Sequence, residues 1–187
     1  DWVKEQFDFD PSALVYAIAP SQREGGLWVA ISAPNPLPRY GARIFKWAEG
    51  GPVRELAPYP WAQDSQRNWV TTMLEDHRGR LWVGTWVNGV YYWEAEGGWR
   101  QPKAETPTSW HPVDALVEDE DGMIWMTTRD GGLHRVSERK VAVLSPPKEA
   151  GEVMITTACV TRDNELWVGT DDAGVFRYQD GGLVQFT

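Results

Sequence analysis

Side chains that could perform acid–base chemistry are few in this chain of 187 residues. The three histidines fall at unrelated places in the sequence: His77, His111 and His134. The chain contains no His-Glu-x-x-His zinc motif, no nucleophile elbow and no glycine-rich phosphate loop. Three aspartates, Asp130, Asp171 and Asp172, could supply a carboxylate pair for glycoside chemistry, but acidic residues are also common in solvated turns. We therefore expect no catalytic residues and a protein that is not an enzyme, with a hydrolase or lyase as the weaker alternative.

Tryptophan is the residue type whose abundance needs an explanation, because the chain contains twelve. Four of them recur in a Leu-Trp-Val-Gly-Thr type of pattern: Trp28, Trp82, Trp125 and Trp167. Their separations are 54, 43 and 42 residues, and the last two are typical of a four-stranded propeller blade. Because each has apolar neighbours, these repeat anchors are predicted to pack one blade against the next.

Each repeat reads as four antiparallel strands, A to D, with Gly-Gly or Asp-Gly pairs at tight hairpins. The sequence thus predicts an all-β fold, a single β-propeller segment of four-stranded blades. We place the four blades at residues 14–56, 69–101, 113–144 and 155–187, with a proline-rich hairpin insertion at 32–42 in the first. Residues 1–7 read as the outer strand of a preceding blade.

Two stretches make the repeat specific, Leu74–Thr85 (Leu-Glu-Asp-His-Arg-Gly-Arg-Leu-Trp-Val-Gly-Thr) and Val117–Trp125. They resemble the two-component regulator propeller repeat, which forms the sensor region of many bacterial hybrid histidine kinases and occurs in other extracytoplasmic proteins. The resemblance covers nearly the whole chain and implies a periplasmic or extracellular sensor propeller. The fourth repeat has Arg162-Asp163-Asn164 in place of the Asp…Gly turn, which predicts a turn one residue shorter.

The number of blades bears on the shape of the whole ring. The resemblance implies propellers of about seven blades, within the range that such folds adopt. The last blade already has its own outer strand at 183–186, so the strand at 1–7 is not needed to complete it. We therefore expect the four blades to be part of a larger ring, whose other blades come from further sequence, a second copy or another chain.

The tryptophans that the repeat does not require fall together on one face. In an up-and-down blade the BC hairpins and DA connections lie on one side, the upper face, and the AB and CD turns lie on the other, the lower face. The candidate ligand-binding residues of the upper face are Trp61, Trp86, Trp110, His111, Arg129, Asp130, Asp171, Asp172, Arg39 and Tyr40.

Aromatic rings with carboxylates and arginines between them suit a ligand that has flat apolar faces and hydroxyls, so carbohydrate is the ligand class we expect. A protein partner suits them nearly as well, since Trp, Tyr and Arg are enriched at interface hot spots. Alternatively, these rings fold over the loops and cover the core. The leading hypothesis is a sensor module that signals to attached domains, and the second is an interaction scaffold in a larger extracytoplasmic assembly.

Composition and charge disfavour several classes of partner. A formal charge of −9 disfavours nucleic acid, and the chain lacks the apolar run of about eighteen residues that membrane insertion by a helix requires. The acidic turn Asp119–Gly122 lacks the remaining ligands of a calcium loop, so we expect a turn stabilised by aspartate side chains, no metal and no cofactor. The single cysteine, Cys159, has apolar neighbours and is predicted to be a small buried core residue.

Overall fold

In a computed structural model, residues 13–32, 42–60, 69–102, 112–129, 132–136, 141–144 and 153–186 are described. The regular secondary structure in these ranges consists of strands. Sixteen strands form four antiparallel sheets of four strands each. The described residues contain no helix that could span a membrane. The predicted all-β propeller with four blades is confirmed.

Each blade is one sheet whose strands follow chain order from the inner to the outer edge. Blade 1 contains β1 (Val15–Pro20), β2 (Leu27–Ser32), β3 (Ala42–Trp47) and β4 (Arg54–Glu55). Blade 2 contains β5 (Val70–Glu75), β6 (Leu81–Thr85), β7 (Val90–Glu94) and β8 (Gly98–Arg100). Blade 3 contains β9 (Val113–Glu118), β10 (Ile124–Thr128), β11 (Gly132–Val136) and β12 (Val141–Leu144). Blade 4 contains β13 (Ile155–Val160), β14 (Leu166–Thr170), β15 (Val175–Gln179) and β16 (Gly182–Phe186).

The threonine that ends the Leu-Trp-Val-Gly-Thr pattern closes the hairpin between the second and third strands. The hydroxyl of Thr85 donates to the carbonyl of Gly89 at 2.8 Å and accepts from the amide of Asn88 at 3.0 Å. Gly89 has φ +73°, a conformation that favours glycine. Thr170 makes the same hydroxyl bond to Gly174, at 2.7 Å, so this part of the motif specifies the turn.

The lower-face turn between the first two strands explains the aspartate of the motif. Asp76 accepts hydrogen bonds from the backbone amides of Arg78 and Arg80 and from the indole Nε1 of Trp82, at 2.7 Å. Burial alone raises the pKa of this fully enclosed carboxyl, but the hydrogen bonds from Trp82 and Arg80 outweigh it and hold the pKa below its usual value. Asp119 binds the indole of Trp125 in the same way, at 2.7 Å.

The expectation of a shorter turn in the fourth repeat is wrong. The amide of Asn164 bonds to the carbonyl of Thr161 at 3.1 Å, as the amide of Gly122 bonds to that of Asp119 at 2.9 Å. The turn therefore has the same length in both blades. Asn164 adopts φ +58°, and asparagine tolerates this left-handed conformation better than other residues with a β-carbon, so it replaces the glycine without a deletion.

The repeated tryptophans face the next blade along the chain. The ring of Trp28 meets that of Trp93 edge-on, with centroids 6.3 Å apart, and Trp125 packs on Tyr178 at 4.8 Å. Trp82 lies in one buried cluster with Val136, the residue at the same strand position in blade 3. Blades 1, 2 and 3 thus each insert an indole against the third strand of the next blade.

The four blades form an arc whose inner strands adjoin in chain order, β1 to β5, β5 to β9 and β9 to β13. Within the described ranges, no comparable packing joins β13 back to β1. The outward side of blade 4 exposes apolar side chains, with Val175, Val184 and Phe186 accessible at 42%, 51% and 64%. Trp167 on this side is half-buried and contacts the ring of Phe186 at 5.1 Å.

The expectation that Cys159 is buried is also wrong, because its side chain is exposed. Cys159 pairs with Trp167 across the first two strands of blade 4, as Val117 pairs with Trp125 in blade 3. Val117 is covered because blade 4 packs against it. Cys159 occupies the corresponding place on the side of blade 4 that no described blade covers.

Candidate functional site

The upper face is built from the hairpin between the second and third strands and the residue that precedes the first strand. In successive blades, the amide of Trp86 donates to the carbonyl of Trp69 at 3.1 Å, that of Arg129 to Pro112 at 3.2 Å, and that of Asp171 to Met154 at 3.2 Å. Ser32 and Leu14 make the same bond in blade 1, at 2.8 Å. Four blades therefore present Ser32, Trp86, Arg129 and Asp171 from one position of the repeat.

The ring of Trp86 contacts residues of two blades, blade 2 and blade 3. Its ring lies against that of Trp69, with centroids 4.8 Å apart and planes inclined by 30°. On blade 3 the guanidinium carbon of Arg129 lies 4.8 Å from the centroid of Trp86, a cation–π contact. Trp86 is half-buried, so part of the indole stays accessible while Trp69 supports it.

Arg129 is held in place by a carboxylate on the neighbouring inner strand. Its Nη2 lies 3.2 Å from Oδ1 of Asp114, whose side chain is largely buried on β9. The arginine side chain remains about two-fifths exposed. Trp69, Trp86, Arg129 and Asp114 together form what we call the aromatic–arginine array. It offers an aromatic face and guanidinium donors to a ligand, while the largely buried Asp114 positions the arginine.

The two described carboxylates predicted for this face lie one blade further along. Asp171 and Asp172 are both exposed in the turn between β14 and β15. Among the hydrogen bonds and ion pairs of the described residues, neither side chain is joined to Arg129. They extend the polar rim toward blade 4 and do not form part of the array.

The other predicted upper-face residues lie outside the described residues, and their grouping stays a prediction: Trp61, Trp110, His111, Asp130, Arg39 and Tyr40.

Two members of the array were not among the residues predicted from sequence. Trp69 begins an inner strand, where burial and exposure to the central channel both fit the pattern. The role of Asp114 could not be predicted because nothing in the sequence states that its carboxylate pairs with the side chain of Arg129. The signal that could have found it is an acidic residue within an otherwise apolar inner strand, Val-Asp-Ala-Leu-Val.

His134 lies on β11 and is fully buried. Its Nε2 is 2.8 Å from the hydroxyl of Thr128, and burial lowers its pKa to about 4. The histidine is therefore neutral at physiological pH. Across the described ranges, no three His, Cys, Asp or Glu side chains cluster in a way that could hold a metal ion.

Comparison with known proteins identifies the repeat. Residues 64–87 match the two component regulator propeller family. No curated protein sequence matches the chain.

Solved structures with the same fold are numerous and distant in sequence. Virginiamycin B lyase from Staphylococcus aureus superposes with a TM-score of 0.72 at 17% identity, over 95% of this chain and 56% of the lyase. The extracellular domain of a hybrid two-component system from B. thetaiotaomicron gives 0.67 at 21% identity, over 95% of this chain and 23% of that protein. PorZ, a surface component of the type-IX secretion system of Porphyromonas gingivalis, gives 0.65 at 18% identity, over 92% and 27%.

The chain spans just over half the length of the lyase and about a quarter of the other two proteins. At these identities the likeness concerns the fold, which is the propeller in all three. Residues 64–87 thus match a repeat of the two component regulator propeller family, and the chain shares the propeller fold with its structural neighbours, which include extracellular domains of two-component systems.

Proposed function

We propose that this chain is a ligand-recognition module that binds carbohydrate on its upper face. The observation that carries the proposal is the aromatic–arginine array. Trp86 occupies a repeat position that holds serine, arginine and aspartate in the other blades, so the fold does not require an aromatic residue there. An accessible indole with a guanidinium beside it matches the alternation of apolar C–H faces and hydroxyls in a sugar.

The geometry supports binding more than catalysis. Arg129 and Asp114 pair with each other at 3.2 Å, and the exposed Asp171 and Asp172 stand apart from them. We propose a role outside the cytoplasm, in line with the extracellular domains among the structural neighbours, and a ring that passes its bound state to attached domains.

A glycan array followed by calorimetry with the best neutral oligosaccharide tests this function. We expect Trp86→Ala to lose at least tenfold in affinity, because it removes the aromatic face on which a sugar ring stacks, a contribution on the order of 1–3 kcal/mol. Phe186→Ala is the matched control, since it removes an exposed ring from the outward side of blade 4. Failure of the parent chain to bind any glycan would overturn the proposal.

An interaction scaffold is the second candidate function, and the exposed side of blade 4 favours it. Val175, Val184 and Phe186 form an apolar strip beside Trp167. Exposed apolar patches of this kind commonly mark contacts with other protein surfaces. If this candidate is right, Phe186→Ser and Val184→Ser will reduce self-association or partner binding in light scattering while glycan binding stays unchanged.

A further inference from the structure

A groove on the lower face collects arginine side chains in an otherwise acidic protein. It encloses about 580 Å³ between blades 1 and 2, far from the aromatic–arginine array. Its walls are the lower-face turn of blade 1, the corresponding turn of blade 2 and the turn between β7 and β8. The arginines that line it are Arg23, Arg78, Arg80 and Arg100.

The positive charge at the floor of the groove belongs to Arg80, whose side chain is held in place by its neighbours. Arg80 is buried to 8% exposure, and its Nε donates to Oδ2 of Asp76 at 2.6 Å. Its guanidinium carbon lies 5.3 Å from the ring centroid of Trp82 and 5.5 Å from that of Tyr92. A cation held beside both rings and bonded to Asp76 loses little conformational entropy when a ligand arrives.

The wall formed by blade 1 is positioned by a glycine of blade 2. Gly79 has φ +79°, and a β-carbon there would come within 2.5 Å of Cδ of Arg23. The Arg23 side chain therefore lies across bare backbone and brings its guanidinium to the groove. The ion pairs of the described residues do not include Arg23, so this charge is not neutralised by a described carboxylate.

On the opposite wall, formed by the turn between β7 and β8, a glycine likewise makes room for an arginine side chain. Arg100 reaches Glu94 at 3.6 Å, a loose and exposed ion pair. A β-carbon on Gly97 would lie 2.9 Å from Nη2 of Arg100 and 3.0 Å from Oε2 of Glu94. Gly97 thus leaves room between the turn and the guanidinium.

Four arginines and two glutamates, Glu94 and Glu96, line the groove, although the chain as a whole has a formal charge of −9. Asp76 offsets the charge of Arg80, so the excess positive charge comes from the other three arginines. We propose that this groove is a binding site for an oxyanion, the carboxylate, sulfate or phosphate group of a small ligand. Planar guanidinium groups bind such groups through paired N–H donors, and several of them converging on one cleft raise the local concentration of anions. This site is independent of the carbohydrate site proposed for the upper face.

Calorimetry at constant ionic strength with sodium sulfate, sodium phosphate and sodium glucuronate tests the proposal. Constant ionic strength matters because salt screens exposed charges. We expect saturable binding of at least one probe, and a loss of about tenfold or more in the double variant Arg23→Gln, Arg100→Gln. Both side chains are exposed, so the double variant is expected to fold, which its circular dichroism and melting temperature will verify.

Arg162→Gln is the matched control, because Arg162 is an exposed arginine in the corresponding turn of blade 4 and does not line the groove. Tighter binding of glucuronate identifies a ligand-borne carboxylate, and equal or tighter binding of the inorganic ions identifies a free oxyanion. Either result supports the site. Absence of binding for all three probes, or equal losses in the double variant and in Arg162→Gln, overturns it.

Discussion

The indole nitrogen of Trp82 donates a hydrogen bond of 2.7 Å to the carboxylate of Asp76, six residues earlier in the chain. The same carboxylate accepts two amides of its own turn and the guanidinium of Arg80. The Trp82 ring meanwhile packs toward blade 3. One pair of residues therefore links the lower-face turn of a blade to the interface with the next blade, which explains why aspartate and tryptophan recur together in the repeat.

Replacing Trp82 by phenylalanine keeps most of the ring but leaves Oδ2 of the enclosed Asp76 without its indole donor. We expect the free energy of unfolding to fall by about 1.5–3 kcal/mol, the usual contribution of a hydrogen bond to a buried charged group. Urea denaturation measures it.

Trp167→Phe is the control for that change. Its indole donates to the half-exposed Glu165 at 3.2 Å, so water can replace the lost donor and we expect a loss below about 1 kcal/mol. Equal losses in the two variants would contradict the role assigned to Asp76.

Two features require glycine at position 79: its positive φ and the side chain of Arg23, which lies in the space that a β-carbon would occupy. In Gly79→Ala the alanine has to adopt φ near +79°, and its β-carbon displaces the side chain of Arg23. We therefore expect the free energy of unfolding to fall by about 1–2 kcal/mol. The same substitution at Gly182, where φ is not positive and a β-carbon meets open space, is expected to change stability by less than about 0.5 kcal/mol. A tolerated Gly79→Ala would show that the contact between blades 1 and 2 is not as described.

His134 predicts how stability depends on pH. Its folded pKa of about 4 lies below the usual 6.5, so between these values the unfolded chain binds a proton that the folded chain does not. Stability therefore decreases as pH falls through this window, by up to roughly 3 kcal/mol from this group. Urea midpoints at pH 7.5 and 4.5 measure the loss.

His134→Gln is expected to flatten that pH dependence, since the titrating group is gone. His77→Gln serves as the control because the His77 side chain is more than half exposed. If both variants retain the full loss between pH 7.5 and 4.5, the burial of neutral His134 is not its cause.

Arg129 tests how the aromatic–arginine array recognises a sugar. Arg129→Gln removes the cation over Trp86 and the ion pair with Asp114, so we expect about a tenfold loss of oligosaccharide affinity. Calorimetry measures the loss. Arg135→Gln, on the exposed side of β11, is the matched control and is expected to bind as the parent does. An unchanged affinity in Arg129→Gln would place the sugar elsewhere on the upper face.

Much of the fold could be predicted from the sequence because the repeat states it locally. Strand alternation, glycine at the hairpins and the recurring Trp82, Trp125 and Trp167 act over about 42 residues, so the pattern alone identifies four propeller blades. The two errors, at Asn164 and Cys159, come from different causes. Asn164 substitutes for a glycine through its own backbone preference, whereas Cys159 depends on what lies beyond blade 4.

The candidate site was predicted only in part. The sequence alone assigned Trp86 and Arg129 to the upper face, because the alternation of strand directions decides the face of every turn. It could not show that Arg129 reaches across to Trp86 and is held by Asp114, or that Arg23 lies over Gly79 beside Arg80. Those contacts join different blades, and their distances follow from how the sheets pack, which is decided by the tertiary structure and by no local pattern.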